Sequence, residues 1–423
     1  MYVLLCFGAL VSIYLLFRNR KENKYTKKLL HLGKNENSQR IVASDGHVLM
    51  IDEHGGVWGS GKNYNAELGL GHKISSITRL TKIESLRKIH SVAAGSSHSL
   101  FLDCFGCVYA TGDNRVGQLA LGDTKNRLTP ALIKLPQCQA IAAGDLHSLF
   151  LTTEGIVFSC GGNESGELGL GTRKIKCLSP NKIKELPEII ALSCGYFHSL
   201  LLDIQGHVWS FGCNFRGQLG LGDFVDRFFP VRLESCSSRT GTNEIYLMDV
   251  KNPLQVKSIF AGANSSFFID IYDEIWAFGT NNTFQLGKFD TPQVFNIELP
   301  EKLSIGFGHI KTIIPAAKCT FFITLEGDVW QAGFDSFAFK SPTEVPATCF
   351  QQLILPKIIH ASHRADYAFF EDESGAVWSI GINVYGQLGL GDHYSRKTLQ
   401  LVDNFKLGEQ FSFGVSPKSA RKL

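Results

Sequence analysis

The 423-residue chain carries no HExxH, no GxSxG and no glycine loop closed by Lys and Ser/Thr, so common signatures of metalloproteases, serine hydrolases and phosphate-binding loops are missing. It also has little net charge. The formal +3 falls to −2 once the +5 of residues 18–28 is set aside, too weak a field for the phosphate neutralisation that drives broad nucleic-acid binding. Paired cysteine spacings are absent: the 11 cysteines are odd in number, and Cys104–Cys107 is a lone CxxC at a hairpin turn. That argues against a disulfide framework or a zinc site and fits reduced thiols. A run both uncharged and almost wholly apolar occurs at residues 1–17, whose only polar side chains are Ser12 and two tyrosines.

What is abundant is glycine, 42 residues, and it recurs in a pattern. AELGLG, GQLALGD, GELGLG, GQLGLGD, FQLGK and GQLGLGD place their leading leucines at Leu68, Leu119, Leu168, Leu219, Leu286 and Leu388. The steps are 51, 49, 51, 67 and 102, so the period is near 50, with one degenerate copy and about sixteen extra residues in the 67. A second marker supplies all seven copies without a gap: a hydrophobic hairpin such as HSLLLDIQGHVW at 198–209. The five tryptophans, Trp58, Trp209, Trp276, Trp330 and Trp378, share one column of it, which Tyr109 and Phe158 complete.

In copy four, strands are expected at HSLLLD, HVWSFG and PVRL, and then, past an insertion near 235–256, at VKSIFAG. Units of about 50 residues, rich in β-branched and aromatic side chains and cut by Gly, Pro and Asn, predict an all-β, seven-bladed β-propeller. Gly217, Gly220 and Gly222 then read as turn residues of a blade joint, not as a phosphate cradle. His47, His98, His147 and His198 occupy one column, with Ser265, Cys319 and Tyr367 in the other copies. Symmetry spreads such a column around a ring, so the histidines read as structural and no catalytic, metal or cofactor site is expected.

The pattern AG..HSL.L...G.VW..G.N..GQLGLGD resembles the repeat of the regulator of chromosome condensation (RCC1) family over about residues 40–412. The kelch propeller fits less well, since a paired glycine at the second-strand end occurs only at Gly161–Gly162. The resemblance implies protein partners, and its founding member is an exchange factor for the small GTPase Ran. That exchanger carries an acidic residue directly before the fourth repeat histidine; here the position is Phe197. In the plant UV-B photoreceptor, another relative, tryptophans stand two before the histidines, where this chain has Asp45, Ser96, Asp145 and Tyr196.

Residues 1–17 hold no charge, and 18–28 follow with six basic residues against Glu22. This order predicts a transmembrane helix with the propeller in the cytosol and the basic linker on anionic lipid. A secretory signal, or an apolar helix packed on a soluble cytoplasmic ring, stays open. Sequons at Asn163, Asn264 and Asn281 offer a test of that topology.

The expected organisation is an anchor at 1–17, a linker at 18–39, the propeller at 40–412 and a tail at 413–423. The expected function is a non-catalytic, membrane-tethered protein-interaction scaffold, with nucleotide exchange on a Ran-like GTPase as the alternative. The insertion and the degenerate copies five and six are the distinctive places to seek a partner site.

Overall fold

A computed structural model describes residues 40–237, 245–247, 254–288, 295–334, 350–364 and 366–406. The sequence-based calls on residues 1–39 and 413–423, including the transmembrane helix, lie outside these. Among the described residues there is no helix, and so none long and apolar enough to cross a membrane.

The chain forms seven antiparallel sheets, six of four strands and one of six. Within a blade the order is sequential, from an inner strand on the channel to an outer strand at the rim. The inner strands are Ile41–Ala43, Ile89–Ala94, Cys138–Ala143, Ile189–Cys194, Val256–Ala261, Ile310–Pro315 and Ile358–Arg364. Their small and apolar side chains surround a channel of about 540 Å³.

The second strand of every blade, for example His198–Asp203, is buried along its whole length. It lies within its own sheet and between two neighbouring blades, so both faces must be covered. This is why the hairpin motif reads as a continuous apolar run instead of an alternating one. The third strand carries the aromatic column, and its Trp Nε1 donates to an Asp six residues earlier. The distances are 2.8 Å for Trp58–Asp52, 3.0 Å for Trp209–Asp203, 3.1 Å for Trp276–Asp270 and 2.8 Å for Trp378–Asp372. The same carboxylates accept backbone amides of the hairpin turn, as Asp203 does from Gln205 and His207 at 2.9 Å. Trp330 has Thr324 in place of the Asp and instead stacks on Phe307 at 4.2 Å.

One expectation needs correction. VKSIFA does not complete blade four: Val256–Ala261 pairs with the hairpin strand that follows it, as the inner strand of blade five. The motif and the blade share a period but differ in phase by one strand, because the crossover from rim to axis lies within each repeat. The insertion near 235–256 forms a two-stranded ladder, Ser235–Ser237 with Ile245–Leu247. It joins the rim of blade five through a parallel contact of Ser237 with Glu301, giving that blade its six strands.

Candidate functional site

The glycine loop starts from an asparagine. Asn214 Oδ1 accepts the Leu219 amide at 2.9 Å, and its Nδ2 donates to the Asp223 carbonyl at 2.8 Å, stapling the loop at both ends. Gly217, Gly220 and Gly222 all have positive φ, at 77°, 69° and 79°. The loop then docks on the next blade. Gly222 N donates to Glu298 O at 2.9 Å, and a Cβ on Gly217 would fall 2.8 Å from the Glu298 Cα. Leu219 is fully buried and Leu221 partly so. Equivalent bonds link Gly71 to Leu128, Gly122 to Leu178, Gly171 to Phe228 and, across the seam, Gly391 to Thr78.

Asn163 and Asn281 are staples of the same kind. Asn163 Nδ2 donates to Thr172 O at 2.9 Å, and Asn281 Nδ2 to Lys288 O at 3.0 Å. Both asparagines are buried, so the folded ring offers neither nitrogen for glycosylation.

The column histidines form a second lock between blades. Nε2 of His47, His98, His147 and His198 lies 2.9–3.1 Å from the Oγ of Ser99, Ser148, Ser199 and Ser266, one blade onward. Each serine donates back to a carbonyl in the preceding blade's glycine loop, Ser99 to Glu67 O at 2.6 Å. Burial pushes all four imidazoles down to about 3, so they are neutral. The ring of His98 rests over Gly95, where a Cβ would lie 2.2 Å from Cε1; the same contact explains the Gly three residues before His147 and His198, while Ser44 stands before His47. Among the described residues no three His, Cys, Asp or Glu side chains gather as a metal centre requires.

What the ring does bring together is a polar cluster at one mouth of the channel. Arg364, at the end of the blade-seven inner strand, donates through Nε to Asp45 of blade one at 3.1 Å and through Nη2 to Asp145 of blade three. Its Nη1 reaches Ala94 O of blade two at 3.4 Å, and its guanidinium lies 4.7 Å from the ring centroid of Tyr196 in blade four. Five blades thus meet at one side chain. The loops carrying these groups are also bonded in series: Ser96 N to Asp145 O at 3.2 Å, Asp145 N to Tyr196 O at 3.0 Å, and Tyr196 N to Ala263 O at 3.1 Å.

Burial pushes Asp145 up to about 7, against the opposing pull of Arg364, and raises the Tyr196 hydroxyl as well. Asp45, Asp145 and Tyr196 occupy the column two before the repeat histidine and were visible as such. Arg364 was missed; the available signal is that blade seven alone places Arg where the other blades have Gly, Ala or Ser.

A closed ring of seven sheets, locked blade to blade by glycine loops and histidines, defines a seven-bladed β-propeller. The profile of the RCC1-like domain matches residues 7–250, and the chain belongs to that family. It is 28% identical over 392 residues to Protein RCC2 of Homo sapiens, covering 88% of this chain and 64% of that protein. To the probable E3 ubiquitin-protein ligase HERC4 of Mus musculus it is 34% identical over 357 residues, covering 81% of this chain but 32% of that one. The chain therefore spans less than two thirds of the length of these curated relatives. Among solved structures, human WBSCR16 superposes with a TM-score of 0.70 at 20% identity, over 82% of this chain and 93% of that one. Prp20p from Saccharomyces cerevisiae, studied for its binding to Gsp1p and histones, does so with 0.68 at 23%, over 81% and 85%.

Proposed function

We propose that the protein is a non-catalytic interaction module whose partner docks on the face that carries Arg364, Asp45, Asp145 and Tyr196. The observation that carries this reading is the convergence itself. A guanidinium, two carboxylates and an aromatic ring from four blades, all at a channel mouth, give one locus of charge and apolar surface on an otherwise repeating face. Arg and Tyr are the side chains that most often dominate protein interfaces. The remaining titratable column, the histidines, is neutral and committed to structure.

Partners of the small GTPase class are the first to test, because Prp20p has been studied with Gsp1p. Phe197, half-buried beside Tyr196 at 6.4 Å between ring centroids, stands where the exchanger's acidic residue would be, which favours binding over exchange. The test is a panel of GTPases scored for capture and for release of labelled GDP. Binding without accelerated release, weakened about thirtyfold by Tyr196→Ala as for a residue worth about 2 kcal/mol, is the expected result. Stimulated release by the intact chain would replace this reading with exchange.

Tethering belongs to the same proposal. The uncharged residues 1–17 followed by six cations in 18–28 support a membrane anchor with the ring in the cytosol. Release of the full chain from membranes by alkaline carbonate would overturn it.

A further inference from the structure

Blade four departs from its relatives at its rim. The two positions that follow Asp223 and its equivalents are Lys73–Ile74, Thr124–Lys125, Arg173–Lys174 and His393–Tyr394 in blades one, two, three and seven, but Phe224–Val225 in blade four. The fold therefore does not require apolar side chains there. Phe215, beside the stapling Asn214, and Phe229, on the outer strand, extend the patch, and all four residues are between 47% and 62% exposed. They are held close together, since Asn214 Nδ2 binds Asp223 O at 2.8 Å and Arg227 Nη1 binds Val225 O at 2.5 Å.

Cations border the patch. Arg216 lies 5.0 Å from the Phe215 centroid, and Arg173 of blade three 5.0 Å from that of Phe228. Arg173 and Lys174 are exposed on a loop that abuts blade four through the Gly171 N to Phe228 O bond of 2.7 Å, and exposed Lys176 opens the outer strand of blade three. Of the carboxylates nearby, Asp223 pairs with Arg227 at 2.5 Å and Asp226 accepts Asn214 N at 2.7 Å, while Glu298 beside Gly217 is exposed.

We propose that this rim is a peripheral docking surface for anionic lipid headgroups, with Phe224 and Val225 entering the interfacial layer and Arg173 and Arg216 at phosphate level. Large apolar side chains left half-exposed on adjoining loops mark an interaction surface. Guanidinium groups lying on aromatic rings suit the boundary between acyl chains and phosphates, where one end of the pair is dry and the other wet. The cationic border matches the sign of an anionic leaflet and adds attraction with each Lys or Arg. The surface is independent of residues 1–17.

The test is hydrogen exchange, read by mass spectrometry, on the full chain with vesicles of phosphatidylcholine alone or of phosphatidylcholine with phosphatidylserine. Exchange across 172–176 and 214–229 is expected to slow on the anionic vesicles and not on the neutral ones. The double variant Phe224→Asp, Val225→Asp should abolish that slowing while exchange in the buried strands stays as it was. Arg216→Gln alone should weaken anionic partition about fivefold, the factor contributed by roughly one interfacial cation. Because the readout is local, an anchor at 1–17 would hold the chain on both vesicle types without creating the difference. Unchanged exchange at the rim on anionic vesicles overturns the proposal. So does equal slowing by soluble polyglutamate without vesicles, which would assign the surface to an acidic protein.

Discussion

Blades one to four and blades five to seven solve the same packing problem with different chemistry. In the first group the second strands carry Leu49, Leu100, Leu149 and Leu200 beside the His–Ser locks. In the second group the histidines are gone and the leucine column becomes Phe267, Phe321 and Phe369. Phe267 meets Phe322 edge-on at 5.9 Å, and Phe321 lies 4.8 Å from His363. At the seam, Tyr367 in the histidine column donates to His47 O at 2.7 Å and accepts from Ser44 N at 3.0 Å. Where the buried hydrogen-bond relay is lost, larger aromatic surface takes over. The joint between blades five and six shows the remnant, with the Ser265 and Thr320 hydroxyls buried and without a partner.

Acid should break this comparison most strongly. The four histidines sit near 3 in the folded chain and near 6.5 when unfolded, so their stabilisation is complete above about 6.5 and lost as pH falls towards 3. Between pH 6.5 and 5 each contributes a loss of up to about 2 kcal/mol. His360, lowered to about 4, adds a single loss of similar size in blade seven, whereas Asp145 and Glu371, raised by burial to about 7, stabilise as they protonate. Hydrogen exchange at pH 7 and pH 5 should show blades one to four opening first; uniform weakening of all seven would contradict the division.

Core truncation comes next. Phe322→Ala should cost about 4 kcal/mol and Leu149→Ala about 3, measured by urea unfolding, since both are fully buried and the larger side chain leaves the larger cavity. Equal costs would mean that the aromatic half relaxes around the hole. His98→Ala should cost about 2 kcal/mol, because it removes the second partner of the buried Ser148 hydroxyl and leaves a void over Gly95. The smallest effect has the opposite sign. Ser265→His restores a donor opposite Thr320 and is expected to gain about 1 kcal/mol, with thermal unfolding as the readout. A loss instead would show that the aromatic half no longer has room for the relay.

The period, the blade number and the column of tryptophans were legible because each blade must repeat the same buried hairpin. The cut between blades was not, since shifting every boundary by one strand leaves the period of 51 unchanged. Only hydrogen bonding, Val256 onto Asp270, reveals that the strand before the hairpin belongs with it. The mouth cluster was half legible. Asp45, Asp145 and Tyr196 share a column, but Arg364 stands elsewhere in its repeat and reaches them only through ring closure. The pairing of the insertion with Glu301 is likewise a contact over some 64 positions that no local pattern encodes.

Every sheet is built from consecutive strands, and the seam between Leu390 and Arg79 is bridged as the other joints are. Among the described residues no blade borrows a strand from the far end of the chain to close the circle. The ring is therefore indifferent to where its backbone is cut. Joining residue 406 to residue 40 with a flexible linker and opening the chain inside the insertion would preserve every blade and every joint. Circular dichroism and a cooperative melt of that permuted chain would show closure to be a property of the interfaces, not of the chain's beginning and end.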